Sequence, residues 1–170
     1  MKKKILRNYL EIKSLNDLKE VVKPSDNLKV EVAKTNDFQL NKFLYKQIGK
    51  KYFWKDRLSW DDSRWINYIS NKNIETYLLK KKNELIGFFE LIFHKEKYEI
   101  EIAYFGIFEE FFGKKYGGYL LSEAIKLSFK KNIKRVWVHT CSLDHEYALK
   151  NYKSRGMSIF KSEIHQNYYA

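Results

Sequence analysis

Residues 109–121 read EEFFGKKYGGYLL, and the fold of the chain depends on how this stretch is interpreted. It holds three of the seven glycines. The run before it, 98–108, alternates along its length, which predicts a β-strand. The run after it, 117–131, has the apolar spacing of an amphipathic helix. The stretch is therefore a loop that joins the end of a strand to the start of a helix.

This glycine loop has properties that suit an anion. The first amide groups of a helix have no partner inside the helix, and the helix dipole places partial positive charge there. Glycines let the backbone approach a ligand closely, so successive amides with Lys114 and Lys115 would suit a pyrophosphate. The nucleotide-binding patterns GxxxxGK[ST] and GxGxxG are absent. A strand–helix turn with solvated lysines is the alternative.

Length and composition indicate one folded domain. With 170 residues, 44% of them hydrophobic and 17% aromatic, the chain can bury a core and is not expected to be disordered. We expect a single domain over 1–170, with 1–24 as an N-terminal extension packed on it. No apolar run reaches the roughly 18 residues of a membrane span, and the basic start lacks the apolar run of a secretory signal. The single cysteine fits a reducing cytoplasm, where we expect the protein to act.

The net charge of +12 does not by itself predict nucleic-acid binding. Only five of the 33 basic residues are arginines, whereas proteins that read phosphates and bases favour the arginine fork. The lysines are spread along the chain, as solvated lysines are. We expect no nucleic-acid or membrane partner, and a charge tuned to an anionic ligand is the second interpretation.

Periodicity and capping signals place the other elements around the loop. The predicted strands cover 7–12, 28–34, 76–81, 84–95, 98–108 and 135–140, followed by one or two strands in 157–169. The predicted helices cover 38–48, a short segment through 65–69, 117–131 and 144–155. Thr35, Asn36 and Asp37 offer oxygens that can cap the first helix. This order, with a strand–helix–strand crossover, predicts a mixed sheet with helices on both faces.

The glycine loop resembles motif A of the GNAT superfamily of acetyl-CoA-dependent N-acetyltransferases. The family pattern is Q/R-x-x-G-x-G/A followed by x-x-L-L. Phe112 takes the Gln/Arg place, Lys115 that of the first glycine and Gly117 that of the second. Leu120 and Leu121 follow at the expected offset.

A second stretch, HEYALKNYKSRGM (145–157), resembles the family pattern N-x-x-A-x-x-x-Y-x-x-x-G-F through Ala148, Tyr152 and Gly156. The resemblance covers 98–160 and points to a bacterial subgroup of unassigned substrate. It implies an α+β fold (an α/β sandwich) with a mixed, mostly antiparallel central sheet of about six to eight strands. Helices would cover both faces, and one pair of parallel strands would splay apart.

The resemblance also implies where acetyl-CoA, the co-substrate, would bind. It would lie in the splay between strands 98–107 and 135–141, with its pantetheine arm along the backbone and its pyrophosphate on the amides of the glycine loop. The implied cofactor-binding residues are Phe105, Ile107, Phe112, Gly113, Lys114, Lys115, Tyr116, Gly117, Gly118, Ala148 and Tyr152. No metal is expected.

The implied reaction is direct attack of a primary amine, on a small molecule or a peptide, in a ternary complex. A backbone N–H near Ile107 is the implied oxyanion donor. We predict Tyr152 as the general acid, because a phenol of pKa about 10 can protonate a thiolate of pKa about 8.5. Glu90 and Glu101 are candidate bases whose faces depend on the strand register. His139 is a third candidate base.

The segment between the first two helices usually sets substrate specificity in the family. We therefore predict Trp54, Arg57 and Trp60 as acceptor-binding residues, where Arg57 or Asp56 would bind a charged group. The alternative is that these rings cover the edge of the sheet.

Other functions stay open at this level. The chain could be a non-catalytic CoA-binding regulatory module, or a basic nucleic-acid-binding domain. An acetyl-Cys141 route is a further alternative to direct transfer. His94, His145 and His165 share no metal-ligand spacing with Cys141. The resemblance also allows a homodimer.

Overall fold

Seven strands form one mixed sheet within residues 3–34 and 37–167, the part of the chain that the computed structural model describes. The strands are β1 (Lys3–Ile12), β2 (Leu28–Val32), β3 (Ile74–Lys81), β4 (Glu84–His94), β5 (Glu99–Ile107), β6 (Arg135–Cys141) and β7 (Ser158–Asn167). The helices are α1 (Phe38–Gly49), α2 (Asp62–Ile69), α3 (Tyr116–Phe129) and α4 (Ala148–Ser154). The strand order is β2-β3-β4-β5-β6-β1-β7, and only β5 and β6 pair in parallel. The predicted mixed, mostly antiparallel sheet is confirmed.

The first strand lies inside the sheet. β1 pairs antiparallel with β6 on one side, where Tyr9 faces His139, and with β7 on the other, where Ile5 faces His165. Much of the segment predicted as an extension over 1–24 is therefore a structural strand. This placement joins the N-terminus to the strands that follow α3.

Alternation along the strands gives the sheet two hydrophobic faces. In β4, Phe88 packs with Leu44 and Ile48 of α1, whereas Phe89 packs in the larger cluster that contains α3, and both phenylalanines are fully buried. α1 and α2 therefore cover one face, and α3 and α4 cover the other. No helix among the described residues is long and apolar enough to span a membrane.

Side-chain caps fix where two helices begin. The Asp37 carboxylate accepts a hydrogen bond from the Leu40 amide (3.1 Å) at α1, and Asp61 accepts one from the Arg64 amide (2.8 Å) at α2. The other two predicted cap residues of α1, Thr35 and Asn36, lie outside the described residues.

The last helix is shorter than predicted. The sequence favours a helix over 144–155, but α4 begins at Ala148. The Asp144 carboxylate instead accepts hydrogen bonds from the Cys141 amide (2.9 Å) and the Thr140 hydroxyl (2.5 Å), which holds 142–147 in a turn at the end of β6. The C-terminal segment is the single strand β7, and the predicted residues 168–169 lie outside the described part of the chain.

The segment after β1 runs across α3 and α4. The Val21 amide donates to the Ser122 hydroxyl (2.9 Å), and the Lys19 amide donates to the Arg155 carbonyl (3.0 Å). Gly156, at the end of α4, has φ of +102°, and a Cβ there would overlap the carbonyl oxygen of Asp17. The close approach of these two segments requires glycine at this position.

We predict that Gly156→Ala lowers the free energy of unfolding by about 3 kcal/mol, because left-handed strain and overpacking add. Gly113→Ala is the matched control: Gly113 also has positive φ (+79°), but a Cβ there would meet nothing within 4 Å. Its expected cost is about 1 kcal/mol. Urea unfolding measures both, and equal costs would contradict the close packing of Asp17 on Gly156.

Candidate active site

A deep cleft opens where two parallel strands diverge. β5 and β6 pair only through Glu99–Glu101 and Arg135–Trp137. Beyond that point the register of β4 on β5 shifts at Ala103, which is an extra residue between the partners of Glu90 and Leu91. A bulge of this kind bends a strand. The result is a cleft of about 900 Å³ whose lining comes from both faces of the sheet.

The free edge of β5 presents backbone groups to the cleft. The Phe108 amide donates to the Ile86 carbonyl of β4 (2.9 Å). Because hydrogen-bonded pairs alternate along an antiparallel ladder, the N–H groups of Phe105 and Ile107 point to the opposite edge. Both residues line the cleft. Two amide donors thus face the space that β6 vacates.

The glycine loop forms one end of the cleft. Lys115 has φ of +64° and precedes α3, and no side chain caps this helix end. The left-handed backbone explains why the family pattern has glycine where this chain has Lys115. Of the predicted cofactor residues, all except Lys114 line the cleft; the Lys114 ammonium instead lies 5.7 Å from the Phe111 ring centroid.

Arg155 adds positive charge to the start of α3, and sequence reasoning missed it. One guanidinium nitrogen lies 3.2 Å from the position that a Cβ on Gly118 would occupy. The Nε atom is buried without a hydrogen-bond partner among the described residues. Burial lowers the pKa of this group. A cation against the positive end of a helix is repulsive, so this arrangement favours an anion between them.

Tyr152 lines the cleft, where its ring packs edge-on against Phe105 with centroids 6.3 Å apart. It is 6% exposed. Burial, and then the nearby Asp144 carboxylate, raise the pKa of the phenol. The hydroxyl therefore keeps its proton at neutral pH and can donate a hydrogen bond.

Glu90, one of the predicted candidate bases, is in a buried ion pair with Arg57. Both of its carboxylate oxygens accept from Arg57 (3.1 and 2.9 Å), and Asn41 (3.2 Å) and Tyr68 (2.9 Å) donate to it as well. Neither Glu90 nor Arg57 lines the cleft. A carboxylate held by four donor contacts is poorly available as a base, and the guanidinium is not available to an acceptor.

The aromatic residues around Arg57 form a cage rather than one substrate wall. The Trp60 ring centroid lies 4.8 Å from the guanidinium carbon, and Trp60 does not line the cleft. The Tyr104 ring centroid lies 4.3 Å from the same carbon, and Tyr104 does line the cleft. Trp54 packs on Tyr104 at 4.7 Å and also lines it. Trp54 and Tyr104 thus form an aromatic wall of the cleft, which we call the Trp54–Tyr104 wall. The Arg57–Glu90 pair supports this wall from the side that faces away from the cleft.

The two remaining candidate bases differ in location. A carboxylate oxygen of Glu101 is hydrogen-bonded to Nε2 of His94 (2.7 Å), and Glu101 does not line the cleft. His139 lines it, with its ring 5.6 Å from that of Tyr9. Burial, and then the charge of Arg7, lower the pKa of His139. The imidazole is therefore neutral at neutral pH and able to accept a proton.

Cys141 also lines the cleft, but burial and Asp144 raise the pKa of its thiol. The thiol stays protonated at neutral pH, which disfavours a covalent acetyl-cysteine route. Within residues 3–34 and 37–167, no group of three His, Cys, Asp or Glu side chains is placed to hold a metal ion.

The chain is similar to a known protein family and to several solved structures. The family described as acetyltransferase (GNAT) matches residues 39–157. An aminoglycoside acetyltransferase, meta-AAC0020 from an uncultured soil metagenomic sample, is 18% identical with a TM-score of 0.68, covering 87% of this chain and 99% of that chain. The PaiA N-acetyltransferase from Thermoplasma acidophilum, in complex with coenzyme A, is 22% identical with a TM-score of 0.50, covering 62% of this chain and 74% of that chain.

A third similar structure is the IAA acetyltransferase from Bacillus cereus ATCC 14579, which is 20% identical with a TM-score of 0.58 and 79% coverage of each chain. At these identities the likeness shows the fold. No curated protein sequence matches the chain.

We predict that Glu90→Gln lowers the free energy of unfolding by about 3 kcal/mol or more, because it leaves the Arg57 charge buried without a counter-charge. Glu101→Gln, in the partly exposed pair with His94, should cost less than about 1 kcal/mol. Urea unfolding of both variants checks this. A Glu90→Gln variant as stable as the parent would contradict the structural role of the pair.

Proposed function

The chain belongs to the acetyltransferase (GNAT) family, and from this premise we propose that it is an N-acetyltransferase. In this proposal it transfers the acetyl group of acetyl-CoA, the donor that the family uses, to a primary amine by direct attack in a ternary complex. The observation that carries the proposal is the uncompensated positive charge of Arg155 and the α3 N-terminus at the end of a cleft of about 900 Å³. We also propose that the protein acts in the cytoplasm as one domain.

The proposed contacts to acetyl-CoA follow the polarity of the cleft. The amides from Gly113 to Gly118 and the Arg155 guanidinium receive the pyrophosphate, because both offer donors and positive charge. The free backbone edge of β5 at Phe105 binds the pantetheine arm in the manner of an added strand. Two features of the cleft support this assignment: its volume, and the separation of the positive charge at the glycine loop from the backbone donors along β5.

Acetyl-CoA supplies an acetyl thioester, whose C–S bond breaks as the C–N bond to the amine forms. Negative charge develops on the carbonyl oxygen, and the Ile107 amide is the proposed donor to it. The Tyr152 hydroxyl is the proposed hydrogen-bond donor and acid at sulfur. Its raised pKa keeps the hydroxyl protonated at neutral pH, so that it can donate to the negative charge that develops on sulfur as the C–S bond breaks.

The proposed base is His139, acting directly or through a water. An amine of pKa near 10.4 costs about 4–5 kcal/mol to deprotonate at neutral pH, at roughly 1.36 kcal/mol per unit. His139 is neutral in the cleft, whereas Glu90 and Glu101 are engaged elsewhere. Proton removal therefore falls to the one candidate base of the three that lines the cleft.

Isothermal titration with acetyl-CoA tests the function, with 1:1 binding in the micromolar range as the expected result. Arg155→Gln should weaken binding at least tenfold, because it removes the charge beside the helix end. Lys153→Gln is the control, since Lys153 is exposed on the same helix and does not line the cleft. No binding by the parent, or equal weakening in both variants, would overturn the proposal.

A thiol-release assay over a panel of amines tests the role of Tyr152. We expect Tyr152→Phe to lower kcat at least tenfold with little change in acetyl-CoA affinity. Tyr119→Phe is the control, because Tyr119 is equally buried at 6% exposure but lies outside the cleft. Unchanged turnover in Tyr152→Phe would remove this residue from the chemistry.

A further inference from the structure

A second arginine of the cleft has no ion-pair partner among the described residues. Arg7 lies on β1, and its Cα partners are Cys141 on β6 and Glu163 on β7. Because side chains alternate along a strand, Arg7 shares a face with Tyr9, whose ring contacts His139. Arg7 is therefore on the His139 side of the sheet, whereas Arg155 lies beside α3 on the other side.

The Arg7 guanidinium is held in the cleft without a hydrogen-bond partner. Its Nε atom is buried and unpaired among the described residues, and the side chain lines the cleft. The nearest acid in the register, Glu163, is engaged by Tyr9 (3.1 Å), by His165 (3.2 Å) and by Lys161. Arg7 as a whole is half-buried, and its buried Nε–H has lost water without gaining a protein acceptor, so the side chain is suited to a ligand of opposite charge.

Few acids in the cleft could receive a cationic acceptor. The carboxylates that line it, among the described residues, are Asp56 and Asp144. Asp144 already accepts from Thr140 and from the Cys141 amide. The proposed acceptor side thus contains the Arg7 cation, and of its two carboxylates only Asp56 does not already accept these hydrogen bonds. Such a site is a poor match to a molecule with several ammonium groups.

Building on the proposed function, we propose that Arg7 binds a carboxylate of the acceptor, so that the acceptors are free amino acids rather than polyamines. A guanidinium fork matches a carboxylate through two parallel hydrogen bonds. Arg7 and His139 are diagonal neighbours on adjacent strands. The Cα atoms of such neighbours are about 7–8 Å apart. The amine of a compact amino acid lies within a few bonds of its carboxylate, so one molecule reaches both groups.

The test compares each amino acid with the amine that lacks its carboxylate, for example phenylalanine with phenethylamine and tyrosine with tyramine. Both members of such a pair have strongly basic amines, whereas an ester would lower the amine pKa and change the rate for another reason. Thiol release should show at least tenfold higher kcat/KM for the carboxylated member of the preferred pair. A preference for the decarboxylated amine, or no preference in any pair, would overturn the proposal.

Variants of Arg7 locate the effect. Arg7→Gln should raise KM for the amino acid at least tenfold and lower its kcat/KM at least tenfold relative to that of the matched amine, because the effect of the lost charge on His139 is common to both acceptors. Arg7→Lys should restore part of this difference. The Kd of acetyl-CoA should not change in either variant. Equal losses for both members of the pair would contradict a carboxylate contact.

The two proposals fail in different ways. Acetylation of amines without any carboxylate preference defeats the assignment of Arg7 and leaves the transferase function standing. Absence of acetyl-CoA binding, with no thiol release for any acceptor, defeats the transferase function and the acceptor assignment together.

Discussion

The divergence of β5 from β6 is the constraint on which the rest of the structure depends. Two parallel strands that paired along their whole length would satisfy each other's backbone groups and close the sheet. Here pairing ends after Glu101 and Trp137, and the extra residue at Ala103 turns β5 away. The amides of Phe105 and Ile107 are left as donors, and the opening connects the two faces of the sheet. A ligand in the gap can therefore contact α3 on one side and the Trp54–Tyr104 wall on the other.

The charges of the cleft are arranged in the same two-sided way. Arg155 and the start of α3 form a positive site on one face, and Arg7 forms a separate one on the other. Both guanidinium groups have a buried Nε without a partner in the described chain. Arg57, by contrast, is fully neutralised by Glu90 and enclosed by aromatic rings. Arg57 is thus a structural arginine, whereas Arg155 and Arg7 are the two that we propose to bind anionic groups.

Local sequence patterns predicted the parts of the site that are local in structure. Glycines between an alternating run and an amphipathic run predicted the loop before α3, and the spacing from Ala148 to Tyr152 placed both residues on the cleft. Pairing between distant segments was not predictable, because nothing in residues 3–12 specifies insertion between β6 and β7. For the same reason the sequence did not reveal Arg7 or the buried pairing of Glu90 with Arg57. Their roles depend on which side chains meet across the sheet.

A structure of the protein with acetyl-CoA tests the central claim most directly. We expect the pyrophosphate against the amides of Gly113–Gly118 beside Arg155, and the thioester in the gap between β5 and β6 with its sulfur near the Tyr152 hydroxyl. A pyrophosphate bound elsewhere, or a thioester outside the gap, would contradict it.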